Sequence, residues 1–385
     1  MSLHKRIVDF LYERRNRVLS GQVNCIPLPF KRFRQEFPGI EQGVYYLISG
    51  TGKAAKTQLT NYLFVYNTIM YMYYHPNKVQ AKIFYYPLEE TAEAVTLRFM
   101  AFLLNHLDNS IVISPTDLKS TNETNPVPEH ILRMMECKEF NDIMSLYEKV
   151  VTFFDSKNAT GIYKDFKNYA ENNGTTIYKE IPIKDELGRE VKRKVFDHYI
   201  ANNPDEYVFI LTDHVSLLSP EKSLDGRMMD LRQSIIKFSE YMILARDRYH
   251  YIPVVVQQQS TETTSLEAFK SNKIRPTKAG LADAKNTGND CSCMIGITNP
   301  YSFEKPDYLG YDITTLKDRF RVIEIVLNRN GRANGLCPLL FNGAINKFEE
   351  LPLPNTPELS NLYNSFKKGA VSFFIKSIKS LFKNG

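Results

Sequence analysis

Val44-Tyr45-Tyr46-Leu47-Ile48-Ser49-Gly50-Thr51-Gly52-Lys53-Ala54-Ala55-Lys56-Thr57 is the stretch whose reading sets the fold. Its five leading apolar residues read as a buried strand, Gly50 and Gly52 as a tight loop, and the apolar run from Lys56 to Met72 as a helix. In that frame Gly50 to Thr57 is a near match to GxxxxGK[ST]. The chemistry behind the pattern is specific. Glycines let backbone N–H groups turn inward around phosphate, a lysine meets the β and γ oxygens, and a hydroxyl faces Mg²⁺. Lys56 and Thr57 fill the last two roles, with Gly50, Gly52 and Ala55 shaping the loop. Ala55 stands where the pattern has its last glycine; a methyl group is acceptable there if the backbone keeps a negative φ, and it narrows the loop. A register on Lys53 lacks a following Ser or Thr.

Working outward, further buried strands are predicted at Ile83 to Tyr86, Tyr207 to Leu211, Pro253 to Gln257 and Met294 to Ile297. Helical patterns at Ala92 to Leu107 and Met228 to Arg248 separate several of them. Alternation of this kind predicts an α/β core with a mainly parallel sheet. Arg321 to Leu327, a turn at Asn330-Gly331, and Leu336 to Phe341 predict an antiparallel hairpin added to it. The stretch from Asn105 to Asp205 is polar and poorly periodic. Inside it, Thr175 to Ile183 and Glu190 to Val195 predict a protruding hairpin.

Two acids and a glutamine stand at strand ends, where a phosphate-binding loop needs help. Asp213 closes an apolar strand and is the candidate for securing the metal. Glu89, after Ile83 to Leu88, is placed to activate the attacking water. Its neighbour Glu90 reads better as a helix N-cap carboxylate. Gln259 ends the run Gln257-Gln258-Gln259 after the Pro253 strand, where an amide can sense the γ-phosphate.

Taken together, these motifs resemble the motor domain of DnaB-type replicative helicases over most of Ile26 to Leu351. Ile26-Pro27-Leu28-Pro29-Phe30 and Pro38-Gly39-Ile40-Glu41-Gln42-Gly43 look like that family's approach to its phosphate-binding loop. Tyr86-Pro87-Leu88-Glu89-Glu90 is similar to its SLEM element, which implies a catalytic role for Glu89. Ile252-Pro253-Val254-Val255-Val256 resembles the strand before its sensor glutamine, which falls on Gln259. Asn328-Arg329-Asn330-Gly331, with Phe341-Asn342-Gly343 and Phe348-Glu349-Glu350, looks like its closing hairpin, which implies that Arg329 reaches a neighbour's ATP.

The resemblance implies a RecA-like P-loop NTPase fold, ATP and Mg²⁺ as cofactors, single-stranded DNA as partner, and a homo-oligomeric, hexameric ring that unwinds DNA during replication. Three departures accompany it. No segment matches the family's N-terminal primase- and loader-binding domain, the lysine two residues before the finger arginine is Leu327, and the interval from Glu89 to Asp213 is longer. The competing readings are an ATPase that remodels or packages DNA without unwinding it, and a structural protein with a decayed nucleotide site.

The rest of the chain is divided accordingly. Residues 1–21 are expected to form a linker helix with Leu3, Ile7, Phe10, Leu11 and Val18 on one stripe, Arg14, Arg15 and Arg17 on the other, and a stop at Gly21. Residues 22–355 form the motor domain, with an insertion at about 108–205. Residues 356–385 form a basic amphipathic tail carrying Phe366, Val371, Phe374, Ile378 and Leu381, suited to a replisome partner or to self-docking in preference to a membrane surface, with a helix packed on its own domain as the alternative. Lys270, Lys273, Arg275, Lys278 and Lys285 follow the sensor strand and are candidates for tracking DNA phosphates.

Composition adds limits. Of 385 residues 43% are hydrophobic and 24% charged, with a net charge of +6, which leans weakly toward an anionic partner. Five cysteines without a CxxC pair suggest neither zinc nor a disulfide framework, and fit a reducing, cytoplasmic setting. The start of the chain has no signal-type apolar region, and no run approaches 18 apolar residues; no membrane is expected.

Overall fold

The computed structural model describes residues 2–155, 157–184, 189–223, 225–260 and 274–367. At its centre lies a sheet of nine strands. In chain order its members are β1 (Tyr46–Gly50), β2 (Gln80–Pro87), β3 (Val151–Phe153), β6 (Glu206–Asp213), β7 (Ile252–Gln258), β8 (Cys293–Thr298), β9 (Phe320–Asn328), β10 (Leu336–Asn342) and β11 (Lys347–Glu350). Strands β4 (Gly174–Lys184) and β5 (Glu190–Ala201) pair with each other alone. The spatial order is β11-β10-β9-β8-β1-β7-β6-β2-β3. Neighbours from β8 through β3 are parallel, and β9, β10 and β11 are added antiparallel.

Both faces of the parallel part are covered, which is why its strands read as continuous apolar runs. Successive side chains point to opposite faces. Tyr46, Ile48, Val254, Val256, Phe209 and Leu211 pack on one side, against the helical run after the glycine loop and against α4 (Ala92–Leu107). That run comprises α2 (Lys56–Thr60), a π-helical segment (Asn61–Tyr66) and α3 (Asn67–Tyr74). Tyr45, Leu47, Val208, Ile210 and Val255 face the other side, where α6 (Ala159–Asn172) and α7 (Leu231–Tyr249) lie. The result is a three-layer α/β unit, as the alternation predicts.

The supposedly irregular stretch from Asn105 to Asp205 is more regular than its composition suggests. Phe140, Ile143, Tyr147 and Val150 form the buried stripe of α5 (Lys138–Val150), and Ala159, Ile162, Phe166 and Ala170 that of α6. Both stripes keep helical spacing, diluted by lysines, asparagines and acids on the solvent side. Between them β3 becomes the sheet's edge strand. Part of the expected insertion therefore belongs to the central core, and the hairpin β4–β5 is what projects from it.

At the N-terminus, α1 (Leu3–Leu19) ends before Gly21 at φ +80°. Two of its arginines turn toward the body of the protein. Arg14 pairs with Glu41 at 2.8 Å and Arg17 with Asp205 at 2.5 Å. Carboxylates on the body thus draw the basic side inward and leave Leu3, Ile7, Phe10, Leu11 and Val18 exposed. At the other end, α8 (Pro357–Lys367) folds onto the antiparallel part of the sheet, burying Leu359 and Leu362, with the Arg319 guanidinium over the Phe366 ring. Val371, Phe374, Ile378 and Leu381 lie outside the described residues. The five cysteines are free thiols, and among the described residues no helix is long and apolar enough to cross a membrane.

Candidate nucleotide-binding site

Strands β1, β7, β6 and β2 end side by side, and several of the groups singled out from the sequence gather there. Gly50 sits against β8 so closely that a Cβ would stand 2.6 Å from the Ile297 carbonyl oxygen, which leaves glycine as the residue that fits. From there the chain turns through Thr51 to Ala55 into α2. Lys56 is buried and its Nζ donates to the Thr51 carbonyl at 3.0 Å, across the mouth of the loop. Burial lowers its pKa, while the nearby Asp213 and Glu89 charges pull the other way. Lys53 is exposed at the loop's tip. The geometry therefore favours Lys56 as the lysine that serves the loop's interior.

Ala55 departs from the expected conformation. Its φ is +76° and ψ +38°, squarely left-handed, and Lys53 is left-handed too at φ +59°. The loop keeps the glycine-type turn although a methyl group occupies the position, at a cost of about 1–2 kcal/mol. What the sequence suggested would relax has been held in place by its surroundings.

Asp213 ends β6 and is joined to His214 by a cis peptide bond. Its Oδ1 accepts from Thr57 Oγ1 at 3.1 Å. Burial pushes its pKa up from 3.8 to about 7; the Thr57 hydrogen bond opposes this, and the neighbouring Glu89 and Glu90 add to it. A hydroxyl and a buried carboxylate side by side form a hard oxygen pair of the kind that holds Mg²⁺ with the help of phosphate oxygens and water. Among the described residues no cluster of three or more His, Cys, Asp or Glu stands ready to hold a metal unaided. Thr51 Oγ1, in the loop itself, is buried without a hydrogen-bond partner among the described residues, a further polar atom suited to a ligand in this cradle.

The raised pKa has a consequence for stability. Below the unfolded value near 4 the carboxyl is neutral in both states. Between there and about 7 the folded protein holds the proton more tightly than the unfolded chain, so stability is lost as pH rises through this window. Asp213→Asn is thus expected to stabilise the nucleotide-free, metal-free protein at pH 8, on the order of 4 kcal/mol, and to do little at pH 4. Urea unfolding at the two pH values measures it. An equal effect at both would remove the buried charge as its cause.

Glu89 and Glu90 follow β2, whose last residue Pro87 pairs with Asp213. Glu90 is spent in an ion pair with Arg98, whose two terminal nitrogens meet its two oxygens. The N-cap of α4 is Thr91, whose side chain accepts from the Ala94 N–H, so Glu90 does not have the capping role its position suggested. Glu89 is exposed beside the loop and close enough to Lys56, Asp213 and His214 for its charge to be felt by all three.

The glutamines are sorted by strand alternation. Gln259 is buried, its Nε2 donating to Ser49 Oγ at 2.8 Å and to the Thr277 carbonyl, and its Oε1 accepting from the Thr277 N–H. Gln257 is likewise tied to Ala282, Ala284 and Thr287. Gln258 is the one that faces the site. Its Nε2 lies 3.5 Å from where a Cβ on Gly52 would stand, and its side chain hydrogen-bonds His214. His214, half-buried with a pKa lowered chiefly by burial, and Gln258 were not singled out from the sequence. The signal available was the period of two, which puts Gln258 on the opposite face from Gln257 and Gln259.

Arg329 is far from this cluster. Its backbone N–H bonds the Ser292 carbonyl, and its guanidinium donates to the Cys291 and Asn289 carbonyls. Cys293 is level with Tyr46, the start of β1, whereas the glycine loop begins beyond Gly50. Arg329 and its own loop are therefore separated by the length of β1, roughly 13 Å or more.

Of the five cations after β7, Lys270 and Lys273 lie outside the described residues. Arg275 is engaged with Tyr308 at 3.1 Å and Glu324 at 3.4 Å, anchoring its segment to β9. Lys278 and Lys285 are exposed.

By sequence the chain matches no family model and no curated protein. By structure it is similar to a solved ATPase domain, with a TM-score of 0.62 at 14% identity, covering 91% of this chain and 99% of that one. It is also similar to a DnaB-like replicative helicase described with its interactions with primase, with a TM-score of 0.59 at 12% identity, covering 91% of this chain and 67% of that one. The chain has the RecA-like fold of DnaB-type helicase motor domains. In this RecA-like unit the cluster around Lys56 lies at the carboxyl ends of parallel strands, where open α/β sheets bind their ligands.

Proposed function

We propose that this RecA-like unit binds and hydrolyses ATP and uses the energy to move along single-stranded DNA as the motor of a DnaB-type helicase, assembled as a hexameric ring. The observation that carries the reading is the convergence of Lys56, Thr57, Asp213 and Glu89 around one loop, beyond the ends of β1, β6 and β2. Lys56 leaves the Thr51 carbonyl for phosphate oxygens. Thr57 and Asp213 would hold Mg²⁺, which would neutralise phosphate charge. Glu89 takes the proton of the attacking water, and its carboxylate is free to do so because Arg98 claims Glu90. Gln258, rather than Gln259, is placed to report the γ-phosphate through His214. Arg329, unable to reach its own loop, serves a neighbouring subunit, and the exposed apolar stripe of α1 suits contact with another copy. Lys278 and Lys285, with Lys270 and Lys273, supply cations for a DNA backbone.

ATP turnover with and without single-stranded DNA is the decisive measurement. The expected result is turnover stimulated by DNA, abolished together with nucleotide binding in Lys56→Ala and retained in Lys53→Ala. Normal ATP affinity in Lys56→Ala would move the assignment to another lysine, and turnover indifferent to DNA would remove the motor reading. A forked duplex separates unwinding from remodelling or packaging.

A further inference from the structure

Buried charge is rare enough to need a reason, and Arg321 has one. It lies on β9 at 2% exposure, with its guanidinium carbon 5.2 Å from the centre of the Phe341 ring. Among the described residues the only carboxylate it pairs with is Asp318, which is largely in solvent. Its remaining bonds go to backbone carbonyls, at Asp318 (2.7 Å), Phe320 (2.9 Å) and, from Nε, Ala54 (3.0 Å). The last crosses from the antiparallel strand into the phosphate-binding loop.

We propose that Arg321 is a positioning residue that locks the Ala54–Ala55 peptide, so that the Ala55 N–H faces the phosphates. The inference rests on the nucleotide-binding reading and deepens it. In a trans peptide the C=O and the following N–H point in opposite directions. Holding the Ala54 oxygen outward against Arg321 therefore turns the Ala55 N–H inward. A flip of this peptide, a rotation of roughly 180°, would carry Ala55 from its positive φ to a negative one that alanine prefers, and would turn the N–H away. Glycine has no such preference, so a loop with glycine at this position needs no lock. Alanine at 55 does, and the arginine supplies it.

The test is a double-mutant cycle between positions 321 and 55, read in two ways. Arg321→Met keeps the apolar stem and removes the donors. Binding of a non-hydrolysable ATP analogue is expected to weaken by roughly tenfold or more in Arg321→Met, the scale of losing a charged hydrogen bond, and much less when Ala55→Gly is also present. Independently of nucleotide, Ala55→Gly is expected to raise the melting temperature by about 1–2 °C when Arg321 is intact. That gain should vanish in the Arg321→Met background, where the peptide is free to relax. Equal losses of affinity in both backgrounds, or equal thermal gains, would overturn the proposal by making Arg321 a mere packing residue. If Arg321→Met does not fold, Arg321→Lys, which cannot reproduce the planar fork, enters the same cycle with the same two outcomes. Should the wild-type protein bind no nucleotide, the nucleotide-binding reading fails, while the thermal cycle still decides whether Arg321 locks the loop.

Discussion

Arg329→Ala is expected to leave ATP binding intact and to slow hydrolysis by about 10³–10⁵, the contribution of a trans arginine in phosphoryl transfer. The expectation follows from position. Arg329 lies level with the start of β1, while the glycine loop lies past its end. No rotamer spans that length within one subunit, so any catalytic contact must be with another copy. Arginine suits the task because its planar fork stays charged and meets two phosphate oxygens at once. Leu327 stands two residues before it, so no lysine at that position can share the task and the loss should be severe. Mixing Arg329→Ala with Lys56→Ala subunits should restore part of the activity, since some interfaces then pair an intact loop with an intact arginine. Verified mixed rings with no recovery would make Arg329 simply the group that caps the Asn289 and Cys291 carbonyls.

Glu89→Gln is expected to bind ATP normally and turn it over at least ~10²-fold more slowly, the loss expected for removing a general base while keeping its shape. Glu90→Gln should behave differently. Its carboxylate is paired to Arg98, so the change should reduce stability with a smaller effect on turnover. Single-turnover hydrolysis and thermal melts on both variants separate the two roles. If Glu90→Gln shows the slow chemistry and Glu89→Gln does not, the water-activating group has been misassigned. The pair of acids illustrates how adjacent residues of one type acquire different uses: one is neutralised by a helix arginine, the other is left in solvent within the field of Lys56.

Much of this was legible from the chain alone. Strand, glycine loop and helix in succession, followed by apolar runs of strand length and a tight Asn-Gly turn, determined a mainly parallel α/β sheet with an antiparallel addition. That is because buried strands and amphipathic helices impose their periods on the sequence. The same local logic put Lys56, Thr57 and Asp213 in the site, each being fixed to the end of an element whose type could be read. What local pattern does not carry is long-range partnership. Tertiary structure decided that Glu90 belongs to Arg98, that Gln259 is consumed by Ser49 and Thr277 while Gln258 faces the loop, and that Arg14 and Arg17 turn α1 toward Glu41 and Asp205. It also decided the backbone at Ala55. A methyl group argues locally for negative φ, and a carbonyl held by Arg321, 267 residues away in sequence, prevails over it.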